Sequence, residues 1–146
     1  MEFYGDSYKG NDEPIFVGIP TFLKLPWVRN NDELKKVKPD MAIVGEPFDF
    51  GTTIRPGTRY GPRAIRAAST VPSPPYEHFN IETGVDPFGV FKSVDYGDVV
   101  VSPGDVIESH RRMTAKVKEI LDIDAVPIIL GGDHSITFAN VRALAK

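Results

Sequence analysis

A polar triplet near the end of the sequence carries the side chains best suited to chemistry. An apolar run, Ile128–Leu130, predicts a buried strand, and Gly131-Gly132 then lets the backbone turn tightly. Asp133, His134 and Ser135 follow at the start of a helical pattern. Open α/β sheets bind ligands at the carboxyl ends of their strands, and a neutral imidazole there can ligate a metal ion. His134 is therefore the candidate metal ligand, although these residues taken alone favour a helix-capping polar cluster with no metal.

The neighbours of His134 carry two further expectations. Asp133 either accepts a hydrogen bond from the imidazole, as metal-ligating histidines usually require, or caps the helix that follows. Phe138, Val141 and Ala145 recur at the spacing of one apolar helix face. The triplet is thus expected to lie between a strand end and the amino terminus of an amphipathic helix.

Four arginines form a basic cluster: Arg55, Arg59, Arg63 and Arg66. Guanidinium groups suit phosphates and carboxylates, and the nearby glycines would let a ligand approach the backbone. Salt bridges within the chain or between subunits are the favoured interpretation, with a phosphate site as the alternative. Asp49 and Asp98, near predicted strand ends, either line a pocket or accept hydrogen bonds from loop amides, and the second role is favoured.

The remaining titratable candidates are assigned structural roles. Asp122 and Asp124 form an Asp-x-Asp pair, but the pair precedes the third strand, at the amino end of the sheet, and is predicted to be solvated. His78 lies in a proline-rich loop and His110 on the apolar face of a helix. Neither histidine has a partner at the spacing of metal ligands, so the sequence assigns no ligand besides His134.

Strand and helix patterns alternate along the chain. Strands are predicted at Met41–Val44, Phe91–Tyr96 and Val126–Leu130, and helices at Gly61–Ser69, from Val106 to Ile120, and after Ser135. Ser102 and Asp105 have the spacing of a capping box for the second of these helices. The alternation predicts right-handed crossovers and a three-layer α/β/α fold with a mostly parallel sheet. The loops that follow the strands would then share one edge of that sheet.

Composition indicates a folded domain and excludes several classes of protein. The 146 residues are 41% hydrophobic and carry a formal net charge of −3, so no basic surface favours nucleic acid. No apolar stretch approaches the roughly 18 residues of a membrane helix, and a cytoplasmic protein is the default expectation. Residues 1–30 are expected to form an extended arm because Pro14, Pro20 and Pro26 interrupt regular structure. The arm would pack on a neighbouring subunit or on its own domain.

Three blocks of the sequence stand in a fixed order: Arg55-Pro56-Gly57-Thr58-Arg59-Tyr60-Gly61-Pro62-Arg63-Ala64-Ile65-Arg66, Asp95-Tyr96-Gly97-Asp98 and Gly131-Gly132-Asp133-His134-Ser135. They resemble blocks of the ureohydrolases, the arginase and agmatinase family. Gly18-Ile19-Pro20-Thr21-Phe22 is similar to the amino-terminal segment of agmatinase-like members. The resemblance covers the first half of the family's domain. It implies that residues 1–146 are the amino-terminal part of a single ureohydrolase domain, with an arginase-like fold that is incomplete in this chain.

The resemblance also implies an activity. A small cationic guanidino compound, agmatine first among them, would be hydrolysed to urea and an amine by a hydroxide that bridges two Mn²⁺ ions. His134 would ligate one ion, and the remaining ligands, an Asp-x-His-x-Asp cluster and an Asp-x-Asp pair, are expected beyond Lys146. A homo-oligomer, trimeric or hexameric, is implied as well. The 146 residues alone are accordingly expected to be inactive.

Two alternatives belong to other functional classes. One is a truncated, non-catalytic homologue that acts as a binding or assembly subunit. The other is an α/β phosphate-binding protein that uses the glycine turn and the arginine cluster. Further aspartates downstream in the gene would favour the enzyme, and protection of the chain by phosphate would favour the last alternative. Guanidinobutyrate, guanidinopropionate and guanidine remain alternative substrates of the enzyme.

Overall fold

Three parallel strands form the sheet in the computed structural model, which describes residues 17–70 and 79–145. The strands are β1, Met41–Glu46; β2, Ser93–Asp98; and β3, Val126–Gly131. Their order across the sheet is β2-β1-β3, so the first strand lies in the middle. Met41 lies opposite Ser93 on one side and opposite Val126 on the other. The predicted parallel sheet is therefore confirmed, and its three strands begin and end at similar levels.

Five helices surround the described part of the sheet: α1, Asn31–Val37; α2, Gly61–Ser69; α3, Pro87–Val90; α4, Val106–Leu121; and α5, Ile136–Leu144. Helix α2 has its predicted bounds, with Pro62 in its first turn. The capping box expected at Ser102 is wrong. The N-cap of α4 is Asp105, whose carboxylate accepts a hydrogen bond from the N–H of Glu108, and the helix begins at Val106 as predicted. No helix within these residues is long and apolar enough to cross a membrane.

The two faces of the sheet bury different cores. Alternate β1 residues, Ala42 and Val44, join a large core that includes residues of α1, α4 and α5. Ile43 points to the opposite face, where it packs with Leu25 and Leu130 in a smaller core. Helix α2 lies on this second face, because Arg66 bonds there to Asp95 of β2. The predicted layering of helices on both sides of a sheet is confirmed.

Two helices bury a different side from the one their apolar residues suggest. In α5, Phe138 and Val141 are 65% and 57% exposed, whereas Ile136 and Ala139 face the core. In α2, Ile65 is 40% exposed and the buried residues are Pro62 and Arg66. The apolar series expected from Phe138 to Ala145 therefore does not mark the core side of its helix. In α2, the side that faces the sheet is the one from which Arg66 bonds to Asp95 and Asp98.

The amino-terminal segment packs on its own chain in the part that the structure describes. Leu25 and Val28 are buried, and the main chain around Trp27 pairs in parallel with Asp95 of β2. The N–H of Val28 donates to the carbonyl of Asp95 at 2.9 Å. Residues 1–16 of the expected arm, and the loop that contains His78, lie outside the described residues. Contact of the arm with a neighbouring subunit stays a prediction.

Candidate functional site

The turn after β3 is held against the loop after β1. The N–H of Gly132 donates to the carbonyl of Glu46 at 3.2 Å, and the N–H of Asp133 donates to that of Phe48 at 2.8 Å. A Cβ atom on Gly132 would overlap the carbonyl oxygen of Phe48, so no other residue fits without a backbone shift. The glycine pair therefore allows a close backbone contact at the carboxyl edge of the sheet, where the sequence places the site.

Asp133 fixes this turn through its carboxylate. Its Oδ1 accepts hydrogen bonds from the N–H of Ser135 at 2.9 Å and from Oγ of Ser135 at 2.5 Å. Its Oδ2 accepts a bond of 2.7 Å from the N–H of Gly51. The role of Asp133 is thus neither of the two expected ones alone. It bonds to the N-cap residue of α5 and also ties the β1 loop to the turn, and it makes no bond to the imidazole of His134.

His134 lies between Asp133 and Ser135, which are bonded to each other, and is exposed. Its carbonyl accepts a bond from the N–H of Thr137 at 3.2 Å, but its imidazole has no hydrogen-bond partner within the described ranges. No group of three His, Cys, Asp or Glu side chains that could hold a metal ion occurs among those residues either. The metal-ligand role of His134 therefore stays a prediction, for a side chain placed at the predicted edge.

Asp49 stabilises the long loop after β1 from within. The carboxylate is buried, and its Oδ1 accepts a bond of 2.7 Å from Nε of Arg59. Its Oδ2 accepts a bond of 2.7 Å from the N–H of Gly57. The hydrogen bond from Arg59 is the main reason that the pKa of Asp49 falls to about 2. The expected bonding of Asp49 to a loop amide and the expected salt bridge of Arg59 are both confirmed.

A buried ion network occupies the other end of this edge. Arg66 donates from Nε and Nη2 to the two carboxylate oxygens of Asp95, at 2.7 and 2.9 Å, and from Nη1 to Asp98 at 2.5 Å. Desolvation disfavours the charged guanidinium, but these hydrogen bonds outweigh it and raise the pKa of Arg66. The salt-bridge interpretation is confirmed for Arg66. The loop-amide role favoured for Asp98 is wrong, because Asp98 accepts from Arg66 instead.

A cavity of about 350 Å³ lies beside this network rather than beside His134. Its lining includes Trp27 of the amino-terminal segment, Arg63 of α2 and Asp98 of β2. Arg63 and Arg55 are exposed, and neither forms an ion pair with a carboxylate in the part of the chain that is described. The arginine cluster is thus divided between two structural residues and two solvated ones, and no phosphate site brings all four together.

The structural roles expected for the other acids and for His110 agree with the structure. Asp122 ends α4 with its side chain 53% exposed and pairs with Lys118, and Asp124 is exposed in the turn before β3. The ring of His110 lies 5.3 Å from that of Phe48 and 6.1 Å from that of Phe138. Its environment is therefore aromatic, and the histidine is part of the packing between helices.

One buried polar pair is absent from the sequence-based expectations. Glu46 is fully buried at the end of β1, and its Oε2 accepts a bond of 3.0 Å from Nδ2 of Asn140 in α5. The sequence places Glu46 after Gly45, in a segment predicted to be loop. The signal available was its position two residues after the apolar run that ends at Val44, where two more residues of strand, Gly45 and Glu46, bury the side chain.

The chain resembles proteins of one family in sequence. A family model described as Arginase family matches residues 39–146. The guanidinobutyrase of Pseudomonas aeruginosa is 41% identical over 94% of this chain and 41% of the relative. The mitochondrial agmatinase of Gallus gallus is 38% identical over 89% of this chain and 36% of the relative. The chain therefore spans about two fifths or less of the length of these curated relatives.

Solved structures give the same result for the fold. The proclavaminate amidino hydrolase of Streptomyces clavuligerus superimposes with a TM-score of 0.77 at 33% identity, over 91% of this chain and 41% of that chain. The formiminoglutamase of Trypanosoma cruzi, solved with Mn²⁺, gives a TM-score of 0.65 at 27% identity, over 87% of this chain and 40% of that one. The three-stranded sheet and its helices thus match a portion of larger α/β proteins.

Proposed function

The chain belongs to the arginase family, and on this premise we propose that it forms part of a ureohydrolase that splits a guanidino compound into urea and an amine. The observation that carries the proposal is the turn after β3. Its backbone is bonded to the β1 loop on the amino side of His134, and the imidazole is left without a protein partner in the described residues. An imidazole that bonds to no described group, on a backbone that is fixed on its amino side, is suited to a ligand.

We propose His134 as one protein ligand of a Mn²⁺ centre. Exposure and the unbonded imidazole fit this role, and the formiminoglutamase relative solved with Mn²⁺ supports the choice of metal. When bound, such a centre supplies positive charge that polarises water and the substrate. The other ligands would come from polypeptide outside the described residues, since these contain no cluster of three candidate ligands.

The residues around His134 would act by positioning. Asp133 bonds to Gly51 and to Ser135, so it restricts the movement of the loop after β1 and of the first residue before α5. Asp49 and Arg59 restrict the far part of the same loop. Fixing a ligand before the substrate binds lowers the entropy that has to be lost in the reaction. We propose that these two carboxylates keep the imidazole and the loop in one arrangement during turnover.

The proposed substrate is a guanidino compound with a short chain, and agmatine is the first candidate. A relative named agmatinase and a relative named guanidinobutyrase both support the guanidino head group. Agmatine and guanidinobutyrate share this head and differ in the charge of the tail, so the two compounds form a matched pair for measurement.

We further propose that the whole protein is a homo-oligomer, which light scattering would test.

A chimera tests the proposal directly. The 146 residues would replace the matching part of the Pseudomonas aeruginosa guanidinobutyrase, and urea release from both compounds would be measured with Mn²⁺. We expect urea from at least one compound, and about two Mn²⁺ per chain. Asp122→Asn is the control, because this exposed carboxylate lies at the amino end of the sheet. A folded chimera that releases no urea above a blank with metal alone would contradict the proposal.

A further inference from the structure

Glu46 is a carboxyl group buried without a cation. It ends β1, its exposed fraction is 0%, and its side chain faces the layer of α4 and α5. The one hydrogen bond of its side chain among the described residues is the bond of 3.0 Å that Oε2 accepts from Nδ2 of Asn140. A buried carboxylate is normally paired with a positive charge, because ionisation in a medium of low polarity is unfavourable. The protonation state of Glu46 therefore needs an explanation.

Two buried oxygen atoms of this pair lack a partner. They are Oε1 of Glu46 and Oδ1 of Asn140, and neither has a hydrogen-bond donor in residues 17–70 and 79–145. Both atoms are acceptors while Glu46 is ionised, so they cannot bond to each other. One proton on Oε1 turns that atom into a donor. The carboxylic acid and the amide can then form a cyclic pair, in which the N–H donates to Oε2 and the O–H donates to Oδ1.

The surroundings of Glu46 favour the neutral acid. Burial raises the pKa of Glu46 to about 7, and the hydrogen bond from Asn140 opposes this only in part. Helix α4 carries His110 and six charged residues, of which Glu108 pairs with Arg111 and Arg112, Lys118 pairs with Asp122, Glu119 accepts from Tyr96 and Lys116 lies over the ring of Tyr96. The other elements around Glu46 contribute Arg142 of α5, Asp133 of the turn, and Asp49, Arg55 and Arg59 of the loop. Arg142 is exposed, Asp133 bonds to Gly51 and Ser135, Asp49 pairs with Arg59, and His110 packs among aromatic rings.

We propose that Glu46 keeps a proton in the folded protein and, through its cyclic pair with Asn140, acts as a positioning residue for the turn that presents His134. The main-chain carbonyl of Glu46 accepts from Gly132, on one side of His134, and its side chain bonds to Asn140, on the other side. The end of β1 therefore holds the chain before and after the imidazole. The consequence for metal binding rests on the proposed function, whereas the proton and the pair do not.

The proton predicts a direction for stability against pH. An unfolded glutamate ionises near pH 4.3, and the folded protein retains its proton to about pH 7. Between these values the unfolded state loses its proton first, so the folded state becomes less stable as the pH rises. The stabilisation by the pair is complete below the unfolded pKa and is lost as the pH passes through the folded pKa.

Glu46→Gln separates a protonated acid from an ionised one. Glutamine supplies an N–H where the acid supplies an O–H, so the cyclic pair forms at every pH. Thermal melts of the 146-residue chain from about pH 5 to pH 8 should give a midpoint that falls in the wild type and changes less in Glu46→Gln. Glu82→Gln, at an exposed position, is the control and should retain the wild-type slope. Equal slopes for wild type and Glu46→Gln would overturn the proposal.

Infrared spectroscopy of the wild type keeps the test independent of how well the variants fold. At pH 6, about one unit below the folded pKa, we expect the carbonyl band of a protonated carboxylic acid, and we expect Glu46→Gln to lack it. Absence of this band from the folded wild type would overturn the proposal even if every variant failed to fold.

A positioning role also requires that His134 responds to Glu46. In nuclear magnetic resonance spectra of the chain without metal, the amide signals of Gly132 and His134 should titrate with the midpoint of Glu46 in the wild type. That midpoint should be lost in Glu46→Gln, and Asn140→Leu should shift both signals at low pH. If the infrared band is present but the two amide signals do not titrate with Glu46, then Glu46 is a buried protonated acid without a positioning role. Failure of the chimera to release urea would not affect either result.

Discussion

The two outer strands of the sheet differ in how completely their polar and apolar groups are satisfied. On the β2 side, the main chain around Trp27 pairs with Asp95, and Arg66 forms ion pairs with Asp95 and Asp98. On the β3 side, Val126 and Ile128 are 55% and 38% exposed, and His134 has an unbonded imidazole among the described residues. The buried polar groups of the first region bond within this chain, and the second region presents groups that have no partner in the described structure.

The difference separates structural residues from candidate ligands. Arg66 and Asp95 have the residue types of a binding site, but their hydrogen-bonding groups are already used. Arg66 donates to Asp95 and Asp98, and Asp95 accepts from Arg66 and from the backbone N–H groups of Phe22 and Gly97. His134 is a single candidate ligand, but the backbone of its turn is bonded at a strand end and its imidazole bonds to no described group. By residue type alone, Arg66, Asp95 and Asp98 would be the first candidates for a binding site. The hydrogen-bond partners instead favour the turn after β3.

The largest effect is expected on the β2 side. Arg66→Met removes one member of a buried ion pair and leaves Asp95 without its cation. We expect the free energy of unfolding to fall by about 3–5 kcal/mol, measured by urea denaturation. Arg63→Met is the matched control, because Arg63 lies on the same helix, is exposed and forms no ion pair with a described residue. An equal loss in both variants would mean that the ion network adds no specific stability.

The next effect is expected in activity rather than stability. In the chimera, His134→Ala should lower urea release by at least roughly two orders of magnitude and reduce Mn²⁺ from about two ions per chain to about one. Stability should change by less than about 0.5 kcal/mol, because the side chain is exposed. His134→Asn should be milder, since an amide oxygen can also bind Mn²⁺. Unchanged metal content and turnover in His134→Ala, with a stability loss of about 1 kcal/mol, would favour the helix-cap alternative.

A smaller loss of stability is expected from the residue that fixes the turn. Asp133→Ala removes the acceptor of three hydrogen bonds, from Gly51 and from the N–H and Oγ of Ser135. These groups regain water because they are only partly buried, so we expect a loss of about 1–2 kcal/mol in urea denaturation. Glu82→Ala, in an exposed position, should change stability by much less. A difference of zero between the two would mean that the turn is fixed by its backbone bonds alone.

The smallest change in folding stability is expected on the outer face of α5. Phe138 and Val141 are exposed there, and apolar patches of this kind promote association. Replacing both by Ser should lower the average mass of the chain in light scattering, with a small change in the melting midpoint. Ile107→Ser, at a position 84% exposed on α4, is the control. If Ile107→Ser lowers the average mass as much as the double replacement of Phe138 and Val141 does, the outer face of α5 is not a specific site of self-association.

Local signals in the sequence predicted where the helices and strands lie better than they predicted which residues contact one another. Gly61 and Pro62 fixed the start of α2, because proline favours the first helical turn. The apolar runs located all three strands, and their alternation with helices implied the parallel sheet. The salt bridge of Arg66 was also expected, but its partners were not. Asp95 and Asp98 lie 29 and 32 residues away from Arg66, and only the folded chain brings them together.

The burial of helix faces was less predictable for a physical reason. Helix α5 has apolar residues on two sides, with Ile136 and Ala139 on one and Phe138 and Val141 on the other. Periodicity identifies an apolar side but does not tell which of two such sides packs on a sheet. Glu46 was missed because a charged residue after a glycine is typical of a loop. Its burial depends on two additional residues of strand and on Asn140, which is 94 residues away.

The hydrogen bonds to Asp95 also suggest an order of folding. Arg66 reaches Asp95 across 29 residues of chain, whereas the N–H of Phe22 reaches the same carboxylate across 73 residues. Closing the longer loop costs about 0.8 kcal/mol more in chain entropy. The amino-terminal segment should therefore dock onto β2 after the Arg66 pair has formed. Amide hydrogen exchange during refolding should accordingly protect Val28 later than the central residues of β1.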